Sequence, residues 1–243
     1  MIASTDAPRV AGVPVPVPVC VPVCVLPAFN ADSTVATVVT AVRRHLAGAF
    51  VLGVDDGSTD ATRAVLKRSC DHVICFDVNR GKGAALRAAF AYAAERFPRS
   101  AVVTLDADGQ HDPAFAPRLL EALEFADIVI GTREIGGPSV PPHRRLANII
   151  STAATCAVTR LRLTDSQSGF RAFRGEVVAA IDAQGDRYEY ETDFIVRASH
   201  RGYRIAEVAV PTLYGPPSHF RELMDSWRVA RVLWSHRASA FRS

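Results

Sequence analysis

The sequence has little excess of either charge. Its 28 lysines and arginines nearly balance 25 acidic residues, which leaves a net charge of +3. A protein dedicated to nucleic acid usually carries a clustered basic surface, so this balance argues against that class. With 22% charged and 49% hydrophobic residues, the composition also excludes wholesale disorder. The length of 243 residues suits one large domain better than two independent ones.

Cysteine is also scarce. The five cysteines are an odd number, and all of them lie in apolar runs: Cys20, Cys24, Cys70, Cys75 and Cys156. Small secreted domains held by disulfides are shorter and far richer in cysteine. We therefore predict buried thiols in a reducing compartment rather than a disulfide framework.

Only one long segment lacks charge, and it spans residues 10–29. Prolines at positions 14, 16, 18, 22 and 27 argue against a transmembrane helix there, because each removes a backbone donor that hydrocarbon cannot replace. A signal peptide also fits poorly, since Asp6 and Arg9 cancel and leave no positive start. We predict an extended tail over residues 1–18 and a protein that is soluble or peripheral to a membrane.

Strands and helices alternate after the tail. Apolar runs predict strands at 23–26, 50–54, 72–76, 101–105 and 127–131, with helices at 33–46, 58–69, 84–97 and 113–125. Ser33 and Ser58 are the predicted N-caps of the first two helices. This order predicts an α/β fold in which a mostly parallel central sheet carries helices on both faces.

The second half is less regular. It predicts helices at 144–160, 175–181 and 191–202 and strands at 170–173 and 203–212. We expect one domain over residues 19–215, in two halves at 19–135 and 136–215. Residues 216–243 form a predicted amphipathic helix with two tryptophans and an arginine-rich flank, which suits an anionic membrane interface or packing on the core.

Polar clusters follow four successive strands: PAFN, DDGSTD, NRGKG and DADGQHD. Ligands of open α/β sheets bind at the carboxyl ends of strands, so these clusters are expected to converge. Asp106 and Asp108 are spaced to hold a hard divalent cation. Capping is the alternative for such acids, and it suits Asp112 before Pro113. Of Asp55 and Asp56, one is expected to bind a base or ribose.

The Gly81-Lys82-Gly83 loop is compatible with two other site types. It is not a Walker A loop, because no glycine lies five residues before a G-K-[ST] triplet. A dinucleotide site is disfavoured, because Leu86 stands where a third small residue belongs. Lys82 is therefore either a phosphate contact or a solvated loop lysine.

The motifs VLPAFN, VDDGSTD, NRGKGAAL, LDADGQHDP, GTR and DSQSGFRAF occur in this order over about residues 20–215. Together they resemble the inverting family-two glycosyltransferases of the GT-A fold, especially dolichyl-phosphate mannose synthases and bacterial polyprenyl-phosphate glycosyltransferases. The resemblance implies transfer of a sugar from GDP-mannose or a UDP-hexose to a polyprenyl or dolichyl phosphate. It also implies Mg²⁺ or Mn²⁺ as cofactor, a donor half at residues 19–135, an acceptor half at 136–215 and a location on the cytoplasmic face of the membrane.

The resemblance also assigns residues to roles. It implies a metal site of Asp106, Asp108 and Gln110, with Asp108 and Arg133 as catalytic residues. The implied donor contacts are Pro27, Phe29, Asp55, Asp56, Lys82 and Asp106. The implied acceptor-phosphate contacts are Arg133, Arg144, Asn148 and Ser168, where asparagine replaces the family's serine at position 148.

Two alternative reactions remain open. A hydroxyl acceptor would need a general base, for which Glu191 and Asp193 qualify, although both also suit the first turn of a helix. A sugar-nucleotidyltransferase would share the sheet and the acids. It would also carry a glycine-rich loop after the first strand, where this chain has PAFNADST.

Overall fold

The computed structural model describes residues 21–133, 142–211 and 231–232. The predicted tail at 1–18 lies outside them, as does nearly all of the predicted helix at 216–243. Seven strands form one sheet: β1 (Val23–Ala28), β2 (Phe50–Asp55), β3 (His72–Cys75), β4 (Val102–Thr104), β5 (Ile128–Arg133), β6 (Arg171–Phe173) and β7 (Ile205–Val210). Their order across the sheet is β3-β2-β1-β4-β6-β5-β7.

Over residues 21–133 and 142–211, seven α-helices accompany the strands: α1 (Val35–His45), α2 (Thr62–Ser69), α3 (Lys82–Arg96), α4 (Ala116–Ala122), α5 (Pro142–Thr159), α6 (Gly175–Ala180) and α7 (Glu189–His200). A 3₁₀ turn at Pro113–Phe115 precedes α4. Within the described ranges, no helix is both long and apolar enough to cross a bilayer.

Alternating side chains of the strands supply two cores, one on each face of the sheet. Cys24 and Leu26 of β1 point to the face covered by α1, α2 and α4. Val23 and Val25 point to the opposite face, where α3, α6 and α7 pack. These four side chains are fully buried, which explains why β1 reads as a continuous apolar run. The predicted α/β fold with helices on both faces is confirmed.

The sheet is parallel except at β6, which runs antiparallel to both β4 and β5. Arg171 begins β6 and pairs with Thr104 near the end of β4 and with Ile130 of β5. The reversal therefore brings the chain that precedes β6, residues 164–170, to the edge where the parallel strands end. The predicted convergence of strand ends thus gains one more loop.

The predicted helix starts at Ser33 and Ser58 are wrong. Helix α1 follows Thr34 and α2 follows Ala61, and neither start has a side-chain cap. The Ser58 hydroxyl instead accepts from the Asn30 backbone N–H at 3.0 Å. A contact between two loops thus takes the hydroxyl that the local pattern assigned to capping. The predicted helix at 113–125 is likewise shorter, because its first turn is 3₁₀.

Candidate active site

The loop after β1 and the loop after β2 are hydrogen-bonded to each other at the sheet edge. Asn30 lies in the left-handed region with φ of 49°, and its side-chain oxygen accepts from the Thr59 N–H at 2.9 Å. Thr34 links the loop after β1 to the loop after β4 that carries Asp106 and Asp108, because its hydroxyl donates to the Ala107 carbonyl at 2.6 Å. Pro27 is buried within β1, whereas Phe29 is partly exposed just beyond it.

Asp55 ends β2, Asp56 follows it directly, and both are buried. The Asp55 carboxylate accepts from the Ser58 N–H at 3.1 Å and pairs with Arg63 at 2.7 Å. Protein donors therefore occupy both of its oxygens. This geometry favours a structural role, and the donor-binding role of Asp55 stays a prediction that this contact pattern does not support.

Asp56 shapes the next loop along the edge. Its carboxylate accepts from the backbone N–H groups of Arg80 and Gly81 at 2.7 and 2.8 Å and from the Asn79 side chain at 2.9 Å. Burial raises the pKa of Asp56, and the two backbone donors oppose that rise only in part. Asp56 therefore holds the loop whose last residue before α3 is Gly81, with φ of 102°.

Lys82, the first residue of α3, joins two acids at the centre of the edge. Its ammonium lies 2.7 Å from Asp106 and 3.1 Å from Glu191. Burial alone would lower the pKa of Lys82, but the two carboxylates raise it. The prediction of a solvated loop lysine is wrong, since only 15% of the side chain is exposed.

Asp106 is the most strongly perturbed acid of this cluster. Burial would raise its pKa, yet Lys82 and His111 outweigh that effect and hold the pKa far below its usual range. His111 is itself buried, with Nε2 3.7 Å from the Asp106 carboxylate and with no hydrogen-bond partner on Nδ1 among the described residues. Lys82 and His111 therefore favour the ionised form of Asp106.

Asp108 follows on the same loop. One oxygen accepts from the Gln110 N–H at 3.0 Å, and Asp112 caps the next turn through the Ala114 N–H as predicted. Burial raises the pKa of Asp108, and the neighbouring Asp106 charge raises it further. A hard divalent cation bound between the two carboxylates would offset their repulsion, and carboxylate oxygens are the ligands that such a cation prefers. No group of three or more metal-ligating acids, histidines or cysteines occurs within the described ranges, so remaining ligands would have to come from a substrate or water.

Arg133 ends β5 and forms a second charged centre. Its guanidinium makes a two-pronged contact with the fully buried Asp165, at 2.8 and 3.2 Å. Asn148 of α5 donates to the same carboxylate at 3.1 Å. Burial would raise the pKa of Asp165, but Arg133 lowers it. Asp165 thus binds both Arg133 and Asn148, two residues predicted to contact the acceptor phosphate. Sequence reasoning assigned Asp165 no role.

The loop before β6 links the two charged centres. A Cβ added at Gly169 would lie 2.5 Å from the Lys82 ammonium and 2.7 Å from Asp106. The Gly169 carbonyl accepts from the Thr104 hydroxyl at 2.8 Å, which fixes the loop on the end of β4. A side chain at this position would force the Lys82 ammonium and the Asp106 carboxylate to move.

Arg171 stabilises that loop from beneath, and sequence reasoning missed it. Its guanidinium is 1% exposed and donates to the backbone carbonyls of Ser166, Ser168 and Glu191 at 2.7–2.9 Å. Ser168 is fully buried, and its hydroxyl accepts from the Phe170 N–H at 3.3 Å. Its role as a phosphate contact stays a prediction. A charged residue at the start of a short predicted strand could have pointed to Arg171.

Glu191 and Asp193 separate on α7. Glu191 joins the Lys82 cluster, whereas Asp193 accepts from the Gln184 N–H at 2.7 Å and from Arg197 at 2.5 Å. The structure therefore brings together Lys82, Asp106, Asp108 and Glu191, and beside them Arg133 and Asn148. The side chain of Arg144 lies outside the described part of α5.

Comparison with known proteins gives consistent matches. Residues 23–182 match the model of glycosyl transferase family 2. An undecaprenyl-phosphate mannosyltransferase of Micrococcus luteus is 33% identical over 198 residues, covering 76% of this chain and 81% of the relative. A polyprenol monophosphomannose synthase of Mycolicibacterium smegmatis is 32% identical over 202 residues, covering 76% and 75%.

Solved structures extend the likeness to the fold. The glucosyl-3-phosphoglycerate synthase of Mycobacterium tuberculosis, in complex with Mn²⁺, UDP and phosphoglyceric acid, matches with a TM-score of 0.73 and 23% identity. That match covers 89% of this chain and 78% of the synthase. The prediction of a GT-A-type fold is therefore confirmed. Because the family model covers most of the chain, this protein belongs to glycosyl transferase family 2.

Proposed function

We propose that this glycosyltransferase moves a sugar, with inversion, from a nucleoside diphosphate donor to a polyprenyl phosphate. The observation that carries the proposal is the position of Gly169. This residue of the loop that also holds Asp165 lies directly against the Lys82–Asp106 pair. An acceptor phosphate beside Arg133 would consequently stand next to a donor diphosphate beside Asp106. The relatives named for undecaprenyl and polyprenol phosphates support this acceptor class.

The chemistry then follows from charge. An oxygen of the acceptor phosphate attacks the anomeric carbon as the bond from that carbon to the donor diphosphate breaks, and a single displacement inverts the centre. The attacking phosphate is already anionic, so no general base is required. Lys82, which is paired with Asp106, and Arg133, which is paired with Asp165, would each share their positive charge with one of the two phosphate groups.

Asp106 and Asp108 would hold the divalent cation, with Gln110 as a further polar contact. Mn²⁺ or Mg²⁺ bound there would stabilise negative charge on the departing diphosphate. The protein's own contribution is to hold Asp106 ionised through Lys82 and His111, as its depressed pKa indicates. The Mycobacterium tuberculosis synthase, crystallised with Mn²⁺ or Mg²⁺ and UDP, supports this assignment.

Transfer to a hydroxyl acceptor is the second possibility, and the contacts of the two acids disfavour it. A general base needs a carboxylate oxygen directed at the acceptor. The Glu191 carboxylate is paired with Lys82, and Asp193 is paired with Arg197 on the flank of α7. Glu191 lies near Arg133, but its carboxylate is engaged by Lys82, and Asp193 is engaged by Arg197.

A lipid acceptor also implies a membrane. We propose that the protein acts peripherally on the cytoplasmic face and that residues 216–243 contribute a membrane contact. The sequence of that segment supports the contact through its two tryptophans and its arginines.

A transfer assay with a matched pair of variants tests the reaction. GDP-mannose and UDP-glucose would be supplied with Mn²⁺, with and without undecaprenyl phosphate, to wild type, Asp108→Asn and Asp112→Asn. We expect lipid-dependent transfer that falls at least about 100-fold in Asp108→Asn, because a charge that holds the metal is lost. Asp112→Asn should be unaffected, because asparagine caps a helix start as well as aspartate does.

The outcomes separate the alternatives. If the protein binds the donor but transfers no sugar to the lipid, the proposed polyprenyl-phosphate acceptor is wrong, and a hydroxyl acceptor becomes the better proposal. Equal losses in the two variants would show that the loop responds to any substitution, and the metal assignment would then fail.

A further inference from the structure

Glu207 places an acidic side chain in the middle of β7, at one end of the described sheet. Charged residues are common on such edge strands, because they discourage pairing with strands of other chains, and in that role they point into solvent. Glu207 is instead half-buried, and both of its carboxylate oxygens are occupied. This side chain therefore has a role beyond protecting the sheet edge.

The Glu207 carboxylate binds two consecutive residues of the loop before β6. One oxygen accepts from the backbone N–H groups of Thr164 and Asp165 at 2.8 and 3.2 Å. The other oxygen accepts from the Thr164 hydroxyl at 3.1 Å. Hydrogen bonds to an ionised acceptor are stronger than those between neutral groups, so three of them fix this stretch of backbone.

The same loop is held a second time, from α5. The Ser166 N–H donates to the Thr152 hydroxyl at 3.1 Å. The backbone N–H of Asp165 is bound by Glu207 and the next N–H by Thr152, so both peptide groups that flank the Asp165 Cα are fixed. The direction in which the Asp165 side chain leaves the backbone is therefore fixed as well.

That direction decides where the proposed phosphate contacts lie. The Asp165 carboxylate holds the Arg133 guanidinium at 2.8 and 3.2 Å and accepts from Asn148 at 3.1 Å. The part of the loop beside the donor acids is held separately, by Thr104 and Arg171. A shift of the backbone at Asp165 would consequently disturb the acceptor side of the site more than the donor side.

We propose that Glu207 is a positioning residue for the acceptor. It fixes the backbone of Thr164 and Asp165, and Asp165 in turn presents Arg133 to the acceptor phosphate. Glu207 thus acts through Asp165 and not by contact with a substrate. The kinetic consequence rests on the proposed function, whereas the anchoring of the loop does not.

Three variants separate positioning from a general loosening of the sheet edge. Glu207→Ala removes all three hydrogen bonds. Glu207→Gln keeps an oxygen for the two backbone N–H groups and offers an N–H to the Thr164 hydroxyl. Asp127→Ala is the matched control, because the Asp127 carboxylate accepts from the Arg204 N–H at 2.8 Å, at the end of the β5–β7 pair opposite to Arg133.

Steady-state kinetics would resolve the two substrates. We expect Glu207→Ala to raise the KM for undecaprenyl phosphate about fivefold and to leave the KM for the nucleotide sugar within about twofold of wild type. Glu207→Gln and Asp127→Ala should leave both KM values within about twofold of wild type, because the bonds to the loop persist. Adding Glu207→Ala to Asp165→Asn should raise the acceptor KM no further, because both substitutions act through one contact.

Hydrogen exchange of the full-length protein without substrate measures the anchor itself. In Glu207→Ala, the amides of residues 164–166 should exchange about tenfold faster, whereas Asp127→Ala should leave them unchanged. Unchanged exchange in Glu207→Ala would overturn the proposal, as would equal rises in the two KM values or the same acceptor effect in Asp127→Ala. Faster exchange in Glu207→Ala, together with a wild type that transfers no sugar to the lipid, would reject the proposed function alone and leave the anchor in place.

Discussion

Gly169→Ala should separate catalysis from stability. The new Cβ would meet the Lys82 ammonium at 2.5 Å and Asp106 at 2.7 Å, so these side chains must shift by about 1 Å to reach ordinary contact distance. Stretching the 2.7 Å ion pair to about 3.7 Å costs about 1.7 kcal/mol at an effective dielectric constant of about 20. A displacement of about 1 Å at reacting groups can lower the rate about 100-fold.

We therefore expect kcat/KM for transfer to the lipid phosphate to fall about 100-fold in Gly169→Ala. The same 1.7 kcal/mol should lower the melting temperature by only about 3–7 °C. Gly53→Ala is the matched control. Its Cβ would lie 2.9 Å from the Leu66 side chain, away from the charged cluster, and such overpacking typically costs about 1–3 kcal/mol.

Both variants should thus melt at similarly lower temperatures, and only Gly169→Ala should lose activity. Thermal denaturation and steady-state kinetics on the same preparations would decide. If Gly169→Ala keeps kcat/KM within about twofold of wild type, the loop before β6 does not lie on the donor acids in the working enzyme, and the reasoning above is wrong.

Three further predictions concern the acids around this cluster. Asp165→Asn should lower the free energy of unfolding by about 3 kcal/mol in urea and raise the KM for the lipid phosphate about fivefold, because Arg133 and Asn148 lose their shared partner; an unchanged KM would refute the positioning role. Since Arg133 depresses the pKa of Asp165 against the effect of burial, this stabilisation should be complete above the unfolded pKa of about 3.9. It should disappear as pH falls through the lower folded pKa, so a wild-type advantage that vanishes near neutral pH would contradict the assignment. Glu191→Gln, which alters a partner of Lys82, should lower kcat about tenfold. Asp193→Asn should lower stability and leave kcat within about twofold. If Asp193→Asn lost more kcat than Glu191→Gln, Asp193 would be the candidate general base for a hydroxyl acceptor.

The strands were predictable because each one is a short apolar run bounded by turn residues. β1 and β2 begin at the predicted residues 23 and 50. Helix starts were less predictable, because the same hydroxyl can cap a helix or join two loops. Ser58 does the latter with Asn30, and no local pattern distinguishes the two uses.

A strand close to β6 was predicted at 170–173, but its antiparallel direction and its place in the sheet could not be predicted from the sequence. Strand β6 has three residues, and its direction is set by pairing with β4 and β5, which end at Thr104 and Arg133, far earlier in the chain. The pattern predicted a short strand there but not where it would insert. That insertion determines which loops meet at the site.

The acids at the strand ends show the same limit at the level of single atoms. Parallel sheet geometry predicts that Asp55, Asp106 and Asp108 lie at one edge, and they do. It does not predict which oxygens the protein already uses. Both are paired with a cation, Asp55 with Arg63 and Asp106 with Lys82, but the Asp55 side chain is fully buried whereas 28% of the Asp106 side chain is exposed. That difference depends on where side chains from distant parts of the chain arrive. A carboxylate at a strand end is therefore a hypothesis about a site until its partners and its exposure are known, and here the exposure favours Asp106 over Asp55.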